Sequence, residues 1–447
     1  MSNTLDTTTL LADAKIHRLV LQATFVPVTG DLFQPAGFPD IGHVIYDAPR
    51  PIMEEKGEGK DKQPVQAKDA LGNPQWSKEK VCIVDSAASM ANHLEAAMHA
   101  DRKARTLDLH SDLEGMPYVQ CLTDGPETAK DKKPTRLVLT TLSEAHRLAS
   151  TYFLEGFTLN ADGKFESQKK TVKRKENGVD VEKEEDVISS RVFGEVLRKS
   201  FGVEDLGKKT HPLPGDWWNV FRTIFRYDPN SLVHGILFPA MGIKLSRVLT
   251  VHHEAFGADR VGFSGVKFDK LEKTDSRQSI FANDRETARE IRATFVIDLS
   301  LIRSFGCGEQ GLNDDQKRFL LELALWKIQR LLAEPYAFRS GCDLKCLKLV
   351  RVGDANSPAI SVPDLGSGLK ALISKGDKGE EADNRSIWLK PDEKDKSKTV
   401  IPISDRITKV YWPSEKLFKP ARDEEDKGKK GMENEDEESD ANSNAGE

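Results

Sequence analysis

The stretch "REIRATFVIDLSLI", Arg289 to Ile302, decides the fold class of this chain. Ile291, Ala293, Phe295, Ile297 and Leu299 recur at every second position. Successive side chains of a strand point to opposite faces, so this period predicts a strand with one buried face. Such strands belong to antiparallel sheets that helices cover on one side. The covering helix is legible a few residues on, in "NDDQKRFLLELALWKIQRLLAEP". Asn313 is its cap, Gln316 completes a capping box, and Leu321, Leu325, Ile328 and Leu332 form the buried stripe. Glu334-Pro335 ends it.

Working outward, "IHRLVLQATFVPV" (Ile16 to Val28) predicts an early, central strand, and "CLKLVRV" and "ITKVYW" predict two later ones. "KVCIVDSAASMANHLEAAM" predicts strand, cap and helix, with Asp85 or Ser86 accepting from first-turn amides. "TRLVLTTLSEAHRLASTYF" repeats that grammar: a strand at Leu137 to Leu139, a cap at Thr141 or Ser143, and a helix carrying His146 and Arg147. Helix N-termini expose unpaired amides and a positive dipole end, which suits phosphate; ordinary capping explains the same residues. Trp217, Trp218, Phe221, Ile224 and Phe225 have helical spacing and predict core, and "SLVHGILFP" predicts an apolar strand. The fold class is therefore α+β, an antiparallel sheet with helices on one face and long polar insertions.

Charged insertions fall near 51–79, 164–186 and 361–399. In the second, Asn177-Gly178 is a strong two-residue hairpin signal. That loop sets Lys175 opposite Asp180, Lys173 opposite Glu182 and Lys169 opposite Asp186, pairs of opposite charge. The ribbon is too polar for core, and reads as a self-neutralised solvent hairpin, as simple disorder, or as a finger that reaches a neighbour or a nucleic acid. Residues 423–447 hold 11 acidic and 3 basic residues, a net of −8. This tail has almost no apolar residues and is expected to be disordered. Against 66 basic and 72 acidic residues in all, the other 422 residues hold 63 and 61, a net of +2. The body is expected to be a single domain over 1–422.

The sequence excludes some classes of function. Five cysteines without a framework of close pairs predict free thiols in a reducing cytoplasm. "MSNTLDTTTL" is no signal peptide, and no apolar run is long enough to cross a bilayer. Two ligands of one metal on a helix stand four apart; His252 and His253 are neighbours on a strand and point to opposite faces. Cys342 and Cys346 lack a second close pair. No metal or cofactor is expected, and neither a GxxxxGK[ST] loop nor a GxSxG elbow occurs. A metal-independent ribonuclease using His146, His252 or His253 as acid or base stays open on spacing alone. Basic and aromatic residues interleave with glycines in "GADRVGFSGVKFD", a mixture that suits nucleic acid.

Eight blocks occur in order: "LFQPAGFPDIGHVIY", "DSAASMANHLE", "LSEAHRLAS", "FRYDPNSLVHGILF", "KLSRVLTVHHEA", "GVKFD", "ALWKIQRLLAE" and "FRSGCDL". Together they resemble the CRISPR-associated RAMP-superfamily backbone subunit of type I-U systems, also called type I-G. The resemblance implies a modified ferredoxin-like, RNA-recognition-type fold. It implies a cytoplasmic subunit that polymerises in multiple copies as a helical filament along guide RNA. Such a subunit works with the other subunits of an antiviral interference complex and presents the guide to target DNA. It implies a binder rather than an enzyme; the alternative is an endoribonuclease of the same superfamily that processes guide precursors.

Residue by residue, Ser89 and Asn92 match the resembled family's Ser and Asn, implied to contact phosphates or sugars. His93 stands where that family usually has Arg, and Ala88 where Gln is common. An imidazole is a weaker phosphate partner than a guanidinium. His146 and Arg147 stand at matching positions. Lys244 and Arg247 match a basic "RLPRALS" pattern in charge, with Ser246 in place of proline, and Lys267 matches directly. Each of these residues, taken singly, also fits packing or a solvated surface.

Overall fold

The computed structural model describes residues 5–38, 42–57, 63–101, 107–123, 135–159, 167–176, 179–188, 192–203, 211–262, 285–353, 359–375, 386–391 and 398–412. The chain divides into two compact units. One comprises residues 1–119, 140–150 and 197–408; the other comprises 120–139, 151–196 and 409–447.

The larger unit is built on seven strands: β1 (Arg18–Pro27), β2 (Ile45–Pro51), β3 (Trp76–Asp85), β4 (Leu249–Phe256), β5 (Glu290–Asp298), β6 (Tyr336–Arg339) and β7 (Cys342–Arg351). They lie in the order β6-β7-β1-β5-β4-β3-β2, with every neighbouring pair antiparallel. Among themselves the inner strands β7-β1-β5-β4 run fourth, first, third, second in chain order. This is the ferredoxin-like arrangement, extended by β2 and β3 at one edge and β6 at the other.

The alternating pattern sets the register. Leu19, Leu21, Ala23 and Phe25 of β1 stand opposite Ile297, Phe295, Ala293 and Ile291 of β5. All are buried, as the sequence predicts. A one-residue slip would turn every one of them to solvent, so register and core are the same choice. The cover consists of α1 (Ala87–Ala96), α2 (Trp217–Tyr227), α3 (Pro229–His234), α4 (Leu299–Ser304) and α5 (Asp314–Leu332). Helices α1 and α3 pack on β4, α4 packs on β1, and α5 joins α1, α3 and α4. The Asn313–Gln316 capping box is formed.

The smaller unit contains most of a three-stranded sheet, with strands at 407–412, 118–123 and 136–140 in that order. Phe157 and Tyr411 exchange backbone hydrogen bonds there, at 3.0 and 2.9 Å. The charged ribbon also belongs to this unit, as strands Ser167–Glu176 and Val179–Ile188. Its register sets Lys175 opposite Asp180, Lys173 opposite Glu182 and Lys169 opposite Asp186, as the two-residue loop predicts. Asn177, Gly178 and the tail 423–447 lie outside the described residues.

Four local expectations are corrected. Ser231 to His234, expected in a strand, belong to helix α3, because Pro229 sits in its first turn with φ already helical. The strand keeps only Ile236–Phe238. After the strand Arg136–Thr140 there is no long helix, but a single tight turn, Arg147–Ala149, and a short helix, Thr151–Leu154. Trp76 to Glu79, placed within an insertion, begin β3. The 361–399 insertion contributes core: Trp388 stacks on Phe225 at 5.2 Å and 22°, and its Nε1 donates to the Ile373 carbonyl at 2.9 Å. Among the described residues no helix is long and apolar enough to cross a membrane. All five cysteines are free.

Candidate nucleic-acid interface

Strand β3 hands over to α1 at Asp85, and two buried polar networks fix the two ends of that helix. At its start the Asp85 carboxylate is almost wholly buried. It accepts from the Ser86 amide at 2.8 Å, Ser89 Oγ at 3.1 Å and His93 Nε2 at 3.0 Å. Arg339 Nη2 closes the ion pair at 2.7 Å and Arg339 Nη1 donates to the Val84 carbonyl at 2.6 Å. An ionised carboxylate only accepts, which assigns the proton to His93 Nε2. His93 Nδ1 meets the Tyr336 hydroxyl at 3.1 Å. Burial raises the Asp85 pKa, but the His93 bond, the Arg339 and His93 charges and the Ser89 bond outweigh it and leave the carboxyl below its usual 3.8.

At the other end Glu95 is buried with Arg147. The guanidinium gives it Nε at 2.6 Å and Nη2 at 2.9 Å, and Nη1 reaches the Gly235 carbonyl at 3.3 Å. Asn230 Nδ2 donates to Glu95 at 2.7 Å, and Lys327 Nζ donates to Asn230 Oδ1. Asp228 accepts from Ser231 Oγ at 2.6 Å. Burial pushes Lys327 down to about 7 and Asp228 up to about 7, and takes His234 well below its usual value. Gly235 has φ +77, and a Cβ there would meet the Leu245 carbonyl oxygen at 2.8 Å. Glycine therefore admits the hairpin Ile236–Phe238/Ile243–Leu245 this close to α3.

These networks engage three of the eight site residues. Half-buried Ser89 and His93 bond to Asp85, whose buried carboxylate needs donors. Arg147 is an interior residue, 7% exposed, held at φ +52 by its bidentate pair with Glu95. That left-handed residue is also what stops the expected helix. Asn92 is exposed on α1, and Lys244 is exposed on the hairpin. Arg247 is half-buried, and its Nη1 donates to the Ala87 carbonyl at 3.2 Å, which ties the start of β4 to the first turn of α1. His146 is exposed, with Nδ1 at 3.2 Å from Glu144. Lys267 lies outside the described residues.

The tertiary structure thus gathers Arg247 and the exposed start of α1 at one place, with Lys244 on the adjoining hairpin. The groups there are a guanidinium, with an ammonium three residues earlier, and exposed small residues (Ala87, Ala88, Ser246) that let another chain approach. Such groups hold an anionic backbone without reading bases. The two neighbouring histidines do face opposite ways. His252 is exposed, whereas His253 is buried, with ring centroids 5.3 Å from Phe25 and 4.8 Å from Phe338. Burial takes His253 down to about 3, so it is neutral and shielded rather than placed as an acid or base.

Sequence reasoning missed Arg339, Glu95, Asn230 and Lys327. Two signals were present. Asp85, Ser89 and His93 stand four apart, the spacing of one helix face. Lys327 interrupts the apolar run of α5 between Trp326 and Ile328. Residues 19–260, more than half of the chain, match the family described as CRISPR-associated protein GSU0053. No curated protein matches. The blocks "ALWKIQRLLAE" and "FRSGCDL" lie beyond the matched span, yet their Lys327 and Arg339 complete networks begun within it.

Proposed function

The chain belongs to the family of CRISPR-associated protein GSU0053, and from that premise we propose that it is the guide-RNA-binding backbone subunit of a type I interference complex. Several copies polymerise along one guide, and the bound guide pairs with target DNA. Base pairing supplies sequence choice, and the protein holds sugar and phosphate. The observation that carries this reading is the docking of Arg247 on the first turn of α1, a helix that also carries exposed Asn92, with exposed Lys244 three residues before Arg247. The reading includes binding without cleavage. The enzymatic alternative needs paired acid–base groups, and of its three histidines the structure takes His253 into the core.

The test is the purified full chain with repeat-containing guide RNA at graded salt. Retention without cutting, in steps that grow with RNA length, is the expected result. Cleavage at one fixed site, lost on His146→Ala or His252→Ala, would replace the binder by a nuclease. Lys244→Ala with Arg247→Ala is expected to weaken binding about tenfold on every sequence. It should also flatten the salt slope by about 1.4, since each phosphate contact on a single strand contributes roughly 0.7. An unchanged affinity and slope would remove both residues from the interface.

A further inference from the structure

A second cationic cluster lies at the far end of β3, on the edge formed with β2. Glu79 is its organiser: Arg50 Nε donates to one carboxylate oxygen at 2.7 Å and Arg289 Nη2 to the other at 2.7 Å. Those bonds, from Arg289 first and then Arg50, hold the Glu79 carboxyl below its usual value. The same carboxylate thus fixes two guanidiniums, and Glu290 stands 3.7 Å from Arg289 and 3.6 Å from Arg292. Lys80 and Lys78 flank it, near Asp259 at 3.6 Å and Asp47 at 3.9 Å. The shallow depression here is lined by Arg50, Lys78, Lys80 and Arg289 with Glu79 and Asp259; with Asp47, Glu290 and Arg292 at its margin, five cations stand against four carboxylates.

The cluster is built into the fold rather than scattered on it. Gly257 has φ +62, and a Cβ there would meet Arg289 Cβ at 3.1 Å, so a side chain at this position would strain the turn and crowd Arg289. Beneath the arginines Ala48, Val81 and Phe256 of β2, β3 and β4 form a small buried apolar cluster. Arg292 roofs the Phe256 ring at 4.1 Å and Arg50 at 5.2 Å. Arg50, over the ring and bonded to Glu79, has little freedom left to lose, and Glu79 holds Arg289 as well, so both meet an anion at low entropic cost. Arg289 nevertheless stays 64% exposed and Lys80 60%.

We propose that this edge of the sheet is a second phosphodiester-binding site, in which Arg50, Arg289 and Lys80 hold a nucleic-acid backbone. The site stands apart from the Arg247 surface: Glu79 and Asp85 are separated by about 20 Å along β3, at roughly 3.3 Å per residue. Two anchor points at that spacing fix the direction of a strand, which one alone does not. The inference deepens the guide-binding reading and rests on it. The backbone bound here belongs either to the guide or to the DNA paired with it, which share this chemistry.

The test measures binding of the full chain to single-stranded RNA and to an RNA–DNA hybrid across a salt series. The variant is Lys80→Gln with Arg289→Gln, two exposed cations whose loss opens no core. The expected result on single-stranded RNA is affinity about tenfold lower and a salt slope shallower by about 1.4. A change on the hybrid alone assigns the site to the DNA strand. Curves that superimpose on the unsubstituted chain with both probes overturn the site and leave the Arg247 reading standing. So does a variant that binds both probes normally and only assembles differently, because the edge is then a protein contact. An unsubstituted chain with no affinity for either probe overturns the guide-binding reading together with this site.

Discussion

Glu95→Ala is expected to lower the unfolding free energy by about 3–5 kcal/mol, the cost of leaving a buried charge without its partner. Arg147 has nowhere to turn: its Nε and Nη2 both end on Glu95, and its Nη1 reaches only the Gly235 carbonyl. Asn230 loses an acceptor as well, and through Asn230 the substitution reaches Lys327, which is fully buried. Denaturant unfolding measures the effect. The diagnostic is the double replacement Glu95→Leu with Arg147→Met. Removing both charges removes the desolvation penalty along with the attraction, so the double variant should be more stable than Glu95→Ala. A Glu95→Ala variant that unfolds at the parental midpoint would mean that Arg147 is hydrated, and would sink this account of the network.

Asp85→Asn is expected to cost about 3 kcal/mol at neutral pH and to affect binding too. It removes the ion pair with Arg339 at 2.7 Å and weakens the hold on His93 and Ser89. Those bonds orient the first turn of α1, where Arg247 docks on the Ala87 carbonyl. Guide-RNA affinity should therefore fall with stability, whereas Glu95→Ala acts at the remote end of the helix. The pH dependence gives a separate check. Asp85 has a folded-state pKa below its usual 3.8. Its stabilisation is thus fully present above the unfolded value and is lost as the pH falls through the depressed folded value. The parent and Asp85→Asn should differ most near neutrality and converge in strong acid. A gap that stays constant down to the acid limit would show that the charge of Asp85 contributes nothing.

The two networks also account for a pattern among the family-like blocks. "DSAASMANHLE" and "FRSGCDL" meet at Asp85, whereas "LSEAHRLAS", "FRYDPNSLVHGILF" and "ALWKIQRLLAE" meet around Glu95 and Asn230. Much of what makes these blocks recognisable is therefore interior polar structure. That explains why Arg147, a basic residue inside a recognisable block, is a poor candidate for an RNA contact. Asn92, Lys244, Ser246 and His252 of these blocks are exposed, and Arg247 is half-buried with one donor on the Ala87 carbonyl.

The sequence by itself determined the sheet and its cover. Period-two alternation in "REIRATFVIDLSLI" and "IHRLVLQATFVPV" sets which face of β5 and β1 is buried, because a strand has only two faces. The Asn313–Gln316 box and the leucine stripe place α5 for an equally local reason, the geometry of one turn. The ribbon register follows from a two-residue loop and the opposite charges across it. Only the tertiary structure decided which polar residues face inward. Arg147 finds Glu95 across 52 positions and Lys327 finds Asn230 across 97. Burial of a charge depends on a partner brought from elsewhere in the chain, and no local pattern carries that information. The same holds for Arg247 on α1 and for the Arg50–Glu79–Arg289 cluster, which draws on β2, β3 and the turn before β5. A basic residue is legible in a sequence; whether its charge is spent on the protein or kept for a ligand is settled when distant strands and helices close around it.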